Sequence, residues 1–186
     1  PKFREELISA AKKHRYIFRD QLPPSTDDLL FLEAYKTNLE LKDGTVVQFR
    51  PLLPSDEFAY RNFFYSLNER TIYFRFFYKM KIFSHEVAQK QWASVDYHKS
   101  MSIVGLIQKG GHKEIMAVGS YAQEDEERAE VAFVIREDFH NKGIATFLLK
   151  FLESIARENG YKAFSAAVLR ENYTMIHVFK KRYPHV

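Results

Sequence analysis

Cysteine is absent from the 186 residues, which excludes disulfides, thiolate metal sites, iron–sulfur clusters and cysteine nucleophiles. No apolar run approaches the roughly 20 residues that a bilayer-spanning helix needs. No basic-then-apolar signal segment opens the chain, so the expectation is a cytoplasmic protein with no membrane partner. Two familiar phosphate loops are also missing. There is no G-x-x-x-x-G-K-S/T and no G-x-G-x-x-G after a strand, which sets aside P-loop nucleotidases and Rossmann dinucleotide enzymes. Seven histidines are scattered without H-E-x-x-H or a comparable ligand set, so no metal is expected. Charge of one sign is in small excess. A net +4 suits an anionic ligand without demanding nucleic acid. The interleaved aromatic and basic residues from Tyr73 to Phe83 read as core and cleft packing rather than as a platform for single-stranded nucleic acid.

What is present is a chain with 46% hydrophobic and 16% aromatic residues, enough for one domain with a real core. Helical spacing of Phe3, Leu7, Ile8 and Ala11 predicts a helix over Phe3–His14, and the prolines of Asp20–Thr26 predict a linker. Asp43-Gly44 between the alternating runs Thr37–Leu41 and Thr45–Arg50 predicts a hairpin with both turn residues at positive φ. Pro54-Ser55-Asp56 opens a helix carrying Phe58, Tyr60, Phe63, Phe64 and Leu67. Ser84 is a cap for a short helix ending at Trp92. Strands are predicted over Met101–Gln108, Glu114–Ala122 and Glu130–Ile135, with turns at Gly110-Gly111 and Glu124–Glu127.

The clearest helix runs from about Gly143 to Asn159. Ile144, Phe147, Leu148, Phe151, Leu152 and Ile155 form its apolar stripe, with Lys150, Glu153, Arg157 and Glu158 largely off it. Gly160 is a C-terminal stop. A strand over Ala163–Leu169 and a helix over Asn172–Arg182 follow. This strand–helix–strand order places the strands ending at Ile135 and Val168 parallel and adjacent, in a mixed α/β fold.

The segment REDFHNKGIATFLL, Arg136–Leu149, joins a strand to a helix. Gly143 and the small Ala145 reduce bulk where the backbone turns. First-turn helix amides have no intrahelical partner and lie at the positive end of the macrodipole. Such a loop is an anion cradle suited to a pyrophosphate, with Lys142 adding charge at its rim.

HNKGIA, His140–Ala145, resembles the acyl-CoA loop of the GNAT superfamily of N-acetyltransferases: Gln or Arg, two residues, Gly, one residue, then Gly or Ala. His140 departs from the first position, while Gly143 and Ala145 match. AEVAFVI, Ala129–Ile135, is similar to the strand before that loop. LRENYTMIHVFKKR, Leu169–Arg182, is similar to the segment after it, with Asn172 at the family's Asn. NERTIYFRFF, Asn68–Phe77, resembles a segment of bacterial GNAT proteins related to protein lysine acetyltransferases. The likeness covers about residues 45–182 and is most specific over Glu130–Ala145.

The resemblance implies a GNAT acyl-CoA N-acyltransferase fold, with a central, mixed but mostly antiparallel sheet flanked by helices. It implies acetyl-CoA as co-substrate. Its contacts would come from Phe133, Val134 and Ile135 on the strand, from the loop residues His140, Asn141, Lys142, Gly143, Ile144, Ala145 and Thr146, and from Asn172. The amides of Val134 and Ile135 would meet the pantetheine arm and polarise the thioester carbonyl. Glu130 is the candidate general base, with a solvated strand edge as its bland alternative and Glu171 as a weaker candidate. Many GNAT enzymes carry a Tyr seven residues after the Asn, where this chain has Phe179, so no general acid is assigned. Tyr173 and Tyr183 lie out of register. Arg75 is read as structural or as part of the substrate wall.

FREELISAAKKHRYI, Phe3–Ile17, resembles the tail of acetyl-CoA hydrolases and CoA-transferases, some of which are joined to a GNAT domain. Residues 1–36 are accordingly expected to be a helix and linker following such a domain, and residues 37–186 the acetyltransferase domain. The family's last β-hairpin is expected to be missing after the final helix. Two functions follow: acetyl transfer to a primary amine such as a protein lysine, or acyl-CoA binding without catalysis as a regulatory domain of a CoA-transferase. A homodimer is a candidate assembly.

Overall fold

In the computed structural model, residues 26–77 and 96–185 are described. The readings for Phe3–His14, for most of the linker and for Ser84–Trp92 lie outside them. Helix α1 spans Thr26–Glu33 and strands β1 and β2 span Thr37–Glu40 and Val46–Pro51. A 3-10 turn, Pro54–Asp56, leads into α2, Glu57–Ser66, followed by α3, Glu69–Phe76. Strands β3 (Ser100–Lys109), β4 (His112–Gln123) and β5 (Arg128–Ile135) come next. A second 3-10 turn at Glu137–Phe139 precedes α4 (Ile144–Glu158), then β6 (Ala163–Ser165) and α5 (Tyr173–Arg182).

The six strands form one sheet in sequence order. Every neighbour is antiparallel except β5 and β6, which run parallel. That mixed, mostly antiparallel sheet with helices on both faces matches the expected architecture. On one face, α4 packs Leu148, Leu149, Leu152 and Ile155 onto Phe49, Ile103, Met116, Val131 and Phe133. On the other, Tyr60, Phe63 and Phe64 of α2 and Ile72 of α3 cover Val104, Leu106, Ile115, Val118 and Val134. Both faces of β3–β5 are therefore buried, and each buried Leu or Ile contributes roughly 1.5–3 kcal/mol. Leu32 and Tyr35, at and after α1, also enter the first core, in a stretch where the sequence suggested no element.

Local chemistry explains the details. The pairing of β3 with β4 shifts between Gly105 and Leu106, leaving Met116 as an extra residue on β4, a bulge. A Cβ on Gly105 would lie 2.8 Å from the Phe49 ring, so only glycine fits there. The β1–β2 hairpin differs from expectation. Gly44 has φ +80°, but Asp43 does not share the left-handed region. Instead Gly44 N–H donates to Leu41 C=O at 2.9 Å, and the Asp43 carboxylate accepts from Thr45 N–H at 3.0 Å. This is the three-residue turn that ends in one left-handed glycine.

Two further corrections concern the end of the chain. Glu153, read as largely off the apolar stripe of α4, is nonetheless buried. It accepts from the Arg157 guanidinium (3.0 and 2.9 Å), from Arg182 (2.9 Å) and from the Tyr183 hydroxyl (2.9 Å), so it ties α5 to α4. Burial pushes its carboxyl up, but these donors outweigh that and hold it below the usual range. Burial and then the bond to Glu153 push Tyr183 up to about 12. The last strand, predicted over Ala163–Leu169, pairs only over Ala163–Ser165.

Candidate active site

The short β6 opens the site. Pairing between β5 and β6 comprises Arg128 with Ala163, Ala129 with Phe164 and Glu130 with Ser165. Past Glu130 the strands part. The register of β5 on β4 is continuous from Gln123–Ala129 to Ala117–Ile135. At its ends Glu124 N–H donates to Arg128 C=O and Arg136 N–H donates to Met116 C=O, both at 2.9 Å. In an antiparallel pair the bonding direction alternates residue by residue. Glu130, Ala132 and Val134 therefore direct their peptide groups at β4; the Val131 N–H is still donated to Ser165 of β6, and beyond it Phe133 and Ile135 direct theirs into the gap. The expected use of the Val134 amide is corrected by this alternation, because that amide faces Val118 on β4.

The gap continues into a cleft of about 410 Å³, its open mouth included. Glu130, Val131, Ala132 and Phe133 form one wall, and Val168, Asn172, Met175 and Phe179 another. Phe74, Arg75 and Phe77 of the α3 end complete it. Glu130, Phe133 and Asn172, residues expected from the sequence, thus border one space. The α3 residues were identified there only as an aromatic segment around Arg75. Asn172 caps α5, accepting from Met175 N–H at 3.3 Å. The Phe179 ring lies 6.0 Å from that of Phe133, which gives the residue at the family's Tyr position a packing role. Neither nearby tyrosine supplies a proton to the cleft: Tyr173 is largely exposed, and the Tyr183 hydroxyl is spent on Glu153.

The loop after β5 is built around Phe139, a buried ring with the Arg136 guanidinium and the Lys142 ammonium each 5.2 Å from its centroid. Arg136 is held by Asp138 (2.8 and 3.0 Å) and Glu114 (3.1 Å). Asn141 (φ +60°) and Gly143 (φ +83°) are both left-handed, so the backbone curls before entering α4. No side chain caps that helix. Phe147 N–H donates back to Gly143 C=O, and among the described residues the N–H groups of 141–146 have no protein acceptor. Asn141, Lys142, Gly143, Ile144, Ala145 and Thr146 thus present successive free donors around a helix N-terminus, the geometry of an anion cradle.

Two side chains of the loop differ from expectation. His140 Nε2 lies 2.8 Å from Ile135 C=O, which makes Nε2 the protonated nitrogen and turns the ring back to the strand. Lys142 is not a free cation at the rim. It crosses to the β1–β2 hairpin and pairs with Asp43 at 2.7 Å. The hydrogen bond from Lys142, then those from Thr45, hold the Asp43 carboxyl well below the usual range.

The chain is similar in sequence and fold to known proteins. The model of the acetyltransferase (GNAT) family matches residues 66–183. The chain belongs to that family. It is 32% identical over 123 residues to an acetyltransferase of Pseudomonas aeruginosa, covering 66% of this chain and 66% of that protein, just under two thirds of the relative's length. The GNAT domain of S. lividans PAT superposes with a TM-score of 0.72 at 25% identity, over 81% of this chain and 88% of that one. The cAMP-binding acyltransferase from Mycobacterium smegmatis gives 0.54 at 25% identity, over 86% of this chain and 48% of that one. The yncA acetyltransferase fold from Salmonella typhimurium, solved with acetyl-CoA, gives 0.60 at 13% identity, over 74% of this chain and 78% of that one.

Proposed function

We propose that this domain transfers an acetyl group from acetyl-CoA to a primary amine, a class that includes the lysine side chain of proteins. The observation that carries the reading is the single path from the donor-rich loop 141–146 along the open edge of β5 to Glu130. The pyrophosphate of acetyl-CoA binds the loop amides. The pantetheine arm enters the gap beside Phe133 and Ile135, whose N–H groups polarise the thioester carbonyl. Val134 lines the strand from its other face, and Asn172 borders the far side of the arm. The His140 side chain serves the loop by holding the end of β5, and Lys142 by bridging to the hairpin.

An amine near the lysine reference of about 10.4 is well under 0.1% neutral at pH 7. Glu130 takes the extra proton from the ammonium, directly or through water, and the neutral amine then forms the N–C bond. The C–S bond then breaks as the remaining ammonium proton passes to solvent or to the departing sulfur, with no tyrosine donor among the described residues. The fold shared with a protein solved with acetyl-CoA, and the family itself, support this donor.

The test is amine-dependent release of CoA thiol. The chain has no cysteine, so a thiol reagent reads CoA alone. Saturable release with amines, matched by N-acetylated product in mass spectra, is expected. Tight acetyl-CoA binding with no acceptor-dependent release would contradict the reading.

A further inference from the structure

Arg75 and Glu130 border the same cleft, yet they do not pair with each other, and among the described residues neither is neutralised by another charged side chain. Much of the remaining lining is apolar: Phe74, Phe77, Val168, Met175 and Phe179. The Arg75 guanidinium lies 5.1 Å from the centroid of the Phe76 ring, which supports one face and leaves its edge N–H groups for a ligand. Helix α3, which carries it, is well fixed. Asn68 caps it through Thr71 N–H at 2.8 Å, and Asn68 N–H donates to the Glu137 carboxylate at 2.9 Å. The start of the helix that carries the arginine is thus tied to the same turn that precedes the proposed CoA loop.

We infer that the acceptor is a primary amine that carries its own carboxylate, as an amino acid does, and that Arg75 is the residue selecting it. This rests on the amine-acetylating function proposed above. An acceptor with only a cationic amine would meet Arg75 as a like charge in a confined apolar space. An acceptor with both groups places the amine toward Glu130 and its carboxylate on the guanidinium fork, which matches carboxylate geometry with two parallel hydrogen bonds.

The experiment compares matched pairs: lysine with cadaverine, and phenylalanine with phenethylamine, each amine lacking only the carboxylate. For the unaltered protein, kcat/KM is expected to favour the amino acid of each pair, chiefly through KM. In Arg75→Gln that preference falls by roughly ten- to hundredfold, the worth of a hydrogen bond to a charged group. Arg75→Lys retains part of it, and Arg75→Glu inverts it toward cadaverine. Equal or better use of the decarboxylated amines by the unaltered protein would overturn the inference while leaving amine acetylation intact. Preferences unchanged in both Arg75→Gln and Arg75→Glu would also overturn it. Turnover of none of these amines would overturn this inference, and failure with protein lysines as well would remove the proposed function.

Discussion

Glu130 stands opposite Ser165 at the last register position that β5 shares with β6. Its carboxylate therefore sits where the sheet divides, at the point where the backbone of β5 stops serving its neighbour and faces open space. Replacing it with Gln keeps the shape and removes the base. Glu130→Gln is expected to lower kcat by about 10²–10⁴-fold, with acetyl-CoA affinity changed little. Steady-state kinetics together with calorimetric titration of acetyl-CoA separates the two effects.

Gly143 needs its left-handed backbone rather than room, since a Cβ there meets nothing within 4 Å. Gly143→Ala is expected to destabilise the loop by about 1–2 kcal/mol and to weaken acetyl-CoA binding. Gly143→Asn, which tolerates that conformation better, should lose less. Thermal melts with and without acetyl-CoA check the order.

Leu152 is fully buried between the sheet and the rest of α4. Leu152→Ala is expected to cost about 2–5 kcal/mol, read as a lower denaturation midpoint at unchanged slope.

Glu153 gives a pH dependence with a definite sign. Its folded carboxyl is held below the usual range by Arg182, Arg157 and Tyr183 despite the opposing effect of burial. Its contribution to stability is therefore present above the unfolded value of about 4.3 and is lost as pH falls through the lower folded value. Glu153→Gln should melt below the unaltered protein at pH 7, and the difference should shrink on acidification. Melting temperatures from pH 7 to pH 3 test this.

Much of the fold was legible because its signals are local. The stripe of α4, the glycine at its start (Gly143), its stop at Gly160, and the position, though not the type, of the β1–β2 turn lie within a few residues of the structure they dictate. The loop was legible for the same reason. What escaped the sequence depends on distant partners. The burial of Glu153, off the apolar stripe, escaped because Arg182 and Tyr183, which satisfy it, come from the end of another helix. Lys142 looked free because Asp43 lies on the first hairpin. The last strand was read too long because periodicity reports side-chain alternation and says nothing of whether a neighbouring strand remains in reach. The same blindness hid which peptide groups of β5 face the gap, and that Phe74, Arg75 and Phe77 complete the cleft.

The central claim is that the open edge of β5 and the loop after it receive acetyl-CoA, and residue-resolved amide hydrogen exchange tests it most directly. Without ligand, Phe133, Ile135 and residues 141–146 should exchange fast, while Val131, bonded to β6, and Ala132 and Val134, bonded to β4, exchange slowly. Saturating acetyl-CoA should slow Phe133, Ile135 and the loop amides and leave Ala132 and Val134 as they were. Bound acetyl-CoA that leaves exchange at Phe133, Ile135 and residues 141–146 unaltered would contradict the account.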